Sequence, residues 1–199
     1  MSPLERIAVV GASLAGLRAV EALRQLGYAG RLSLVGDEKA MPYDRPPLSK
    51  EVLKGDWEPE KTALVRDTAR FDALDLDLRL GRRATRLDAK ERRIELDGGE
   101  PLEFDGLVIA TGAAPLPLPA TERLPTDDQG FVRVSPARQV EGFPDLFAVG
   151  DCASLPFAPF VRKAGVYAVR QGPVLDANLR AHLRGTPLQR YRPQRDFLT

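Results

Sequence analysis

Residues whose types and spacing could do chemistry cluster first in the stretch "RIAVVGASLAGLRAVEALRQLG". Gly11, Ser13 and Gly16 form a G-x-S-x-x-G turn, one residue away from the G-x-G-x-x-G fingerprint of dinucleotide binding. In that chemistry Gly11 permits the tight strand-to-helix turn. The middle position, here Ser13, lets backbone approach a pyrophosphate with some crowding, and Gly16 lets the helix pack closely on the strand. Leu14 and Ala15 lie between them, where the helix N-terminus presents free N–H groups and a partial positive charge to phosphate. Asp37 and Glu38 follow a second apolar run, about 20 residues past the turn, where an acid would accept a ribose hydroxyl. An acid there suits an unphosphorylated ribose, so the adenosine half of NAD and that of FAD both remain open. A plain bend between strand and helix, with no ligand, is the competing reading.

Elements must position these residues. Arg6–Val10 reads as a strand. Leu14–Leu26 has apolar residues at helical spacing (Leu17, Val20, Leu23, Leu26), and Gly27 stops it. Leu32–Val35 reads as a second strand, completing a β-α-β unit with a right-handed crossover. In "MPYDRPPLSKEVLKGDWEPEK" the prolines at 42, 46 and 47 exclude a regular element, and a helix is expected from about Ser49. Residues 61–75 read as mixed helix and loop. "DLRLG" and "RIELDG" read as strands, the second ending in a turn at Asp97-Gly98-Gly99, and "DGLVIATG" as a buried strand entering a small-residue turn. "AAPLPLPATERLPTDDQG" has four prolines and no periodicity, and reads as an extended connector. "FVRVSPARQV" and "DLFAVGD" read as strands. Ala164–Leu183 reads as a helix interrupted at Gly172-Pro173. No repeat or low-complexity tract occurs.

Composition bounds the function. The chain has 199 residues, 43% hydrophobic and 29% charged, with net charge +1. That length fits one large domain or two small ones, and the charge balance calls for neither nucleic acid nor an anionic membrane. The arginines at 82–83, 92–93, 190, 192 and 195 read as a solvated face. The single cysteine, Cys152, excludes an intrachain disulfide, a C-x-x-C redox pair and a Cys-rich metal site. No apolar run suffices to span a bilayer. The first strand starts too early to leave room for a signal peptide, so a cytoplasmic protein is expected.

Three later stretches separate FAD from NAD: "MPYDRPPLSK", "LVIATGA" and "PDLFAVGDCA". With the opening motif, in this order, they resemble the FAD-dependent pyridine nucleotide-disulfide oxidoreductase superfamily. The first half is especially similar to ferredoxin, rubredoxin and putidaredoxin reductases. The resemblance implies an α/β fold: a glutathione-reductase-like, Rossmann-type FAD domain whose central parallel sheet carries helices and a small antiparallel β meander. It implies that residues from Gly11 through Ser13, Leu14 and Ala15 to Gly16 hold the pyrophosphate, and that Asp37, with Glu38, binds the adenosine ribose. Arg45 would cover the adenine-ribose end. Lys50 would lie near the flavin, and Ala84, after Gly81, would meet adenine through its backbone. Ala110, Thr111 and Gly112 would pass close to the cofactor. Asp151, after Gly150, would bind the ribityl chain. The start of the last helix, at Ala164, Gly165 and Val166, would direct N–H groups at flavin O2 and favour the charge of reduced flavin.

Each residue also has a plainer reading: Lys50 and Arg45 as surface charges, Asp151 as a helix cap. Cys152 reads as a small buried filler rather than a nucleophile, Trp57 as packing, and His182 as a helix residue with no partner and no role.

The chain departs from the superfamily in three ways. It has no flavin-side cysteine pair, no second glycine fingerprint and no C-terminal interface segment. Its second half is similar instead to reductases related to type II NADH dehydrogenases and to those associated with selenide, water dikinase. These features point to a single FAD-binding domain over 1–199, built from 1–113 and 128–199 joined by the connector 114–127. Its origin would be an engineered or recombined minimal chimera, with a natural compact flavoprotein as the alternative. Such a protein would bind FAD but oxidise NADH slowly and with weak saturation, because nothing positions the nicotinamide against the flavin. A reductase completed by a partner or dimer, and a nucleotide-binding scaffold without redox function, are the rival readings. Expected partners are FAD and a small electron donor or acceptor, and expected assembly is a monomer or weak homo-oligomer held by exposed apolar surface.

Overall fold

The computed structural model describes residues 4–111, 124–163 and 165–194, with the side chains of Gly165 and Val166 undescribed. Its centre is a six-stranded sheet. Strands β1 (Arg6–Val10), β2 (Arg31–Gly36), β3 (Leu76–Leu80), β7 (Gly106–Ile109) and β10 (Phe143–Ala148) run parallel, and β9 (Gln139–Val140) pairs antiparallel at one edge. The order is β3-β2-β1-β7-β10-β9. Val10 pairs with both Val35 and Ile109, and Ile109 with Ala148, so four strands end level. The turns that follow them share one edge, the place where open α/β sheets bind ligands.

Near-continuous apolar runs make these strands, because both faces of the sheet are covered. Alternate residues point oppositely. Ile7, Val9, Leu34, Val108 and Phe147 meet the buried side of helices α1 (Leu14–Gln25) and α3 (Gly165–Arg184), chiefly Leu17, Val20, Leu23, Leu175 and Leu179, while the short α2 (Thr68–Asp72) leads into β3. Ala8, Val10, Val35, Leu107, Ile109 and Ala148 pack on Leu87, Ile94, Leu102 and Phe104. These come from a three-stranded antiparallel meander of β4 (Ala84–Asp88), β5 (Arg93–Leu96) and β6 (Leu102–Glu103), with its neighbouring loop. Burying each leucine or valine of α1 contributes roughly 1.5–3 kcal/mol.

The structure bears out the α/β class, the parallel sheet and the meander, and it corrects local expectations. A 3-10 turn starts at Pro46 and ends at Ser49, where a helix was expected to begin; two prolines can occupy the first positions of a turn whose N–H groups are unpaired anyway. "FVRVSPARQV" is not one strand: β8 (Val132–Arg133) and β9 are separated by a turn around Pro136, with Arg138 at φ 70°. β8 pairs with β11 (Ala153–Ser154). Helix α3 runs through Gly172-Pro173 unbroken. The carbonyl that Pro173 deprives of its partner belongs to Val169, which is 61% exposed and can be hydrated. The expected connector lies mostly outside the described residues, but its end is folded: Arg133 N donates to Pro125 O, and Asp127 N to Phe131 O. Trp57 is 38% exposed rather than packed away.

Among the described residues no helix is long and apolar enough to cross a membrane, and no group of side chains is arranged to hold a metal.

Candidate functional site

The level ends of β1, β2, β7 and β10 gather most of the residues singled out above. Gly11, at φ 114°, follows β1 directly. A Cβ there would lie 2.5 Å from the Ala110 carbonyl carbon and 2.9 Å from Thr111 N. A Cβ at Gly16 would overlap the Gly11 carbonyl, and one at Gly36 would come within 2.6 Å of Ala12 Cβ. Three glycines thus let the α1 turn, the end of β2 and the end of β7 close on one another. Gly36 was not anticipated, although its place between "SLV" and "DE" was available as a signal.

Ser13 stands at the N-cap of α1 but does not cap it. Its backbone is extended and its hydroxyl donates to Ala110 O at 3.1 Å instead. The serine at the middle glycine position therefore ties the turn to β7 rather than crowding a phosphate. Among the described residues no side chain caps α1, and no acid lies in its first turn. The N–H groups of Leu14, Ala15 and Gly16 are left for an anion.

Asp37 and Glu38 follow β2 at the outer end of this edge. Arg83 Nη2 lies 3.6 Å from Asp37 Oδ2, and the Arg45 guanidinium pairs with Glu38. Tyr43 donates to Glu38 Oε2 at 2.7 Å, a bond that raises the phenol above its usual range. Gly81 N donates to Glu38 O and Arg82 N to Gly36 O, which brings the start of β4, Ala84, beside the same acids. Asp37, Glu38, Arg45 and Ala84 therefore share one end of the edge. Lys50 is exposed, and among the described residues no side-chain bond ties it to them.

At the other end, Val149 N donates to Ile109 O, and the chain turns through a 3-10 segment, Gly150–Cys152, with Gly150 at φ 77°. Ala110 and Thr111 lie beside it. Thr111 Oγ1 is buried with no hydrogen-bond partner among the described residues, next to the Cys152 thiol. Cys152 is 4% exposed, its thiol lies 3.1 Å from Val149 O, and burial pushes its pKa up, as expected of a filler. Helix α3 packs on this turn, with Ala168 Cβ 3.7 Å from a Cβ built on Gly150. Gly112 and Ala164 lie outside the described residues; Gly165 and Val166 open α3.

Two groups at this end were not anticipated, the buried Gln171 and the exposed Lys163. Gln171 Oε1 accepts from Gly150 N at 2.9 Å and from Arg138 Nη1 at 3.1 Å. Lys163 Nζ donates to Ala153 O at 2.5 Å over the Phe131 ring. Burial lowers its pKa. No motif marks either residue in the sequence.

His182, read as partnerless, lies 3.0 Å from Asp145 at the opposite edge of the sheet. Arg92 reaches the same carboxylate, and Arg6 pairs with Glu103 and Asp105 nearby. This cluster braces the amino ends of the strands, far along the chain direction from the glycine turns.

A helix N-terminus uncapped among the described residues, acids at the end of β2 and a buried Thr111 hydroxyl without a partner among those residues fit an extended dinucleotide lying along the edge. Residues 5–123 match the sequence model of the pyridine nucleotide-disulphide oxidoreductases. The biphenyl dioxygenase system ferredoxin--NAD(+) reductase component of Paraburkholderia xenovorans (strain LB400) is 46% identical over 110 residues, 55% of this chain and 26% of that protein. The p-cumate 2,3-dioxygenase system ferredoxin--NAD(+) reductase component of Pseudomonas putida is 38% identical over 138 residues, 69% of this chain and 32% of that protein. The match thus spans less than a third of each of these relatives. Among solved structures, the covalent putidaredoxin reductase–putidaredoxin complex superposes with a TM-score of 0.75 at 18% identity, covering 94% of this chain and 77% of the other. NADH:rubredoxin oxidoreductase from Clostridium acetobutylicum gives 0.70 at 15% identity, covering 95% and 78%. At such identities these two show the shared fold.

Proposed function

The chain belongs to the pyridine nucleotide-disulphide oxidoreductase family, and on that premise we propose that it is an FAD-binding oxidoreductase domain with no nicotinamide site of its own. FAD is the cofactor of this family, and when bound it supplies the capacity to accept and pass on electrons. The observation that carries the reading is the level edge itself. Glycines at 11, 16 and 36 let the α1 turn close on the ends of β2 and β7, and the first N–H groups of α1, with no side chain capping them among the described residues, start at that edge.

In this reading residues Gly11–Gly16 bind the pyrophosphate through main-chain N–H groups. Asp37 and Glu38 accept the ribose hydroxyls, with Arg45 and Arg83 orienting the two carboxylates. Ala84 meets the adenine through its backbone. Ala110, Thr111 and Gly112 line the middle of the cofactor, and the Thr111 hydroxyl gains a partner there. Asp151 holds the ribityl chain, and the start of α3 at Ala164, Gly165 and Val166 favours negative charge on the flavin. Lys50 covers the flavin only if the 46–57 segment folds over it. The whole of 1–199 acts as one FAD unit, with 114–127 as its connector.

The absence of a dedicated nicotinamide site rests on a single glycine fingerprint in the whole sequence. A second reading, an NAD(P)H-dependent ferredoxin-type reductase completed by a partner or a second copy, is favoured by the names of the relatives. The visible absorption spectrum after removal of free FAD tests the shared part: stoichiometric flavin supports it. A colourless protein that FAD cannot reconstitute overturns it in favour of a scaffold. Anaerobic titration with NADH then separates the two readings. Slow reduction without saturation supports the first, and tight saturation supports the second.

A further inference from the structure

Arg138 occupies the least hospitable position available to a cation. Its side chain is completely buried, and among the described residues no carboxylate pairs with it. Nη1 donates to Gln171 Oε1, Nη2 donates to Ser135 O at 3.3 Å, and Nε has no partner among the described residues. The guanidinium lies 5.0 Å from the Tyr191 ring centroid and 5.3 Å from that of Phe157. Burial draws its pKa down to about 10, which still leaves it charged at neutral pH. The turn that carries it is held firmly: Asn178, itself fully buried, donates to Ala137 O at 2.7 Å. A buried charge without a counter-ion is costly, and a fold keeps one only where something offsets it.

The hydrogen bonds lead from this charge to one place. Gln171, 2% exposed, accepts from Arg138 with the same oxygen that accepts from Gly150 N. Gly150 is left-handed, so this bond sets the direction in which the chain delivers Asp151. A second cation flanks the same turn. Lys163 is held by a carbonyl and an aromatic face, forms no ion pair among the described residues, and is repelled by Arg138; its acidic neighbours are Asp127 and Asp151. Arg138, through Gln171, and Lys163, through Ala153 O, thus both reach the Gly150–Cys152 turn and the strand that follows it.

We propose that Arg138 is a positioning residue for the bound cofactor: through Gln171 it fixes the Gly150 turn, and its uncompensated charge favours an anionic ligand in front of that turn. This rests on the FAD reading above. An unliganded protein bears the desolvation cost of the buried charge, and the bound dinucleotide offsets it.

The sharpest test is Gln171→Glu. It gives Arg138 a carboxylate partner through the existing bond, keeps an acceptor for Gly150 N and changes no volume. Arg138→Met, which removes the charge but keeps the bulk, is the second variant. For each, FAD affinity by fluorescence titration, the flavin reduction potential by dye equilibration and the thermal midpoint of the FAD-free protein are measured beside the wild type. Both variants are expected to weaken FAD binding by about tenfold or more. Both should shift the potential to more negative values, because the positive charge that favours the reduced flavin is neutralised by a carboxylate in Gln171→Glu and removed in Arg138→Met. Their FAD-free midpoints should hold or rise, since an unpaired buried charge has been neutralised. A loss of apo stability that tracks the loss of affinity in both variants marks a merely structural arginine and overturns the proposal. So does unchanged affinity or potential in variants of a wild type that binds FAD. A wild type that binds no FAD overturns the FAD reading and this proposal together.

Discussion

Replacing Gly11 by alanine probes the edge at its narrowest point. The new Cβ would meet the Ala110 carbonyl carbon at 2.5 Å and Thr111 N at 2.9 Å. Ordinary contacts between such atoms begin near ~3.5 Å, so the α1 turn and the end of β7 must part by about 1 Å. Holding φ at 114° adds roughly 1–3 kcal/mol of backbone strain. Forcing the displacement adds about 1–3 kcal/mol. The variant should therefore lose on the order of 2–6 kcal/mol, against a total of about 5–15 for a typical domain. In a chain of this size that lowers the thermal midpoint by about 5–20 °C. The assay is differential scanning fluorimetry with and without FAD. A ligand present at about 100 times its Kd raises wild-type stability by about 2.7 kcal/mol, and Gly11→Ala should lose this shift as well. Ser13→Ala is the control, because it removes only the bond to Ala110 O, worth about 0.5–1.5 kcal/mol, and adds no bulk. A Gly11→Ala protein with the wild-type midpoint would refute the packing argument. A lower midpoint with the FAD shift intact would refute the placement of the cofactor against this turn.

Arg24 donates to four carbonyls, Leu74, Tyr28, Gly30 and Asp75, and so joins the end of α1 to the approach to β3. Arg24→Met keeps the stem but strands these acceptors, and urea unfolding should show a loss of about 2–4 kcal/mol; a loss under about 1 would sink the clamp. Hydrogen bonds from Arg6 hold the Asp105 carboxyl below the usual aspartate range. A depressed folded pKa contributes stability that is fully present above the ordinary value of about 4 and is lost as pH falls through the lower folded value. Asp105→Asn should therefore flatten the fall in stability with pH on the acid side of about 4, and an unchanged acid slope would show that the pair does not contribute. Cys152 should resist iodoacetamide in the native protein and react fully in denaturant, as read by intact mass; rapid native labelling would place it at a surface.

Signals confined to a few neighbouring residues determined much of this protein from the sequence alone. The apolar runs before Gly11, Asp37, Thr111 and Gly150 are strands because unbroken β-branched and aliphatic stretches need both faces buried, and the turns after them carry the small residues that edge requires. The period of Leu17, Val20 and Leu23 made α1, and the double glycine after Asp97 made a turn. Two-residue strands such as β6 and β8 leave too short a pattern to read. Pro173 misled as a helix breaker because its cost depends on whether Val169 O meets water, which only packing decides. Ser13, Gln171 and Arg138 make their hydrogen bonds with partners 97 and 33 residues away in the chain. A hydroxyl or a guanidinium carries no mark of which distant carbonyl or amide it will meet. Burial and neighbouring dipoles give these groups their surroundings, and those exist only once the strands have aligned.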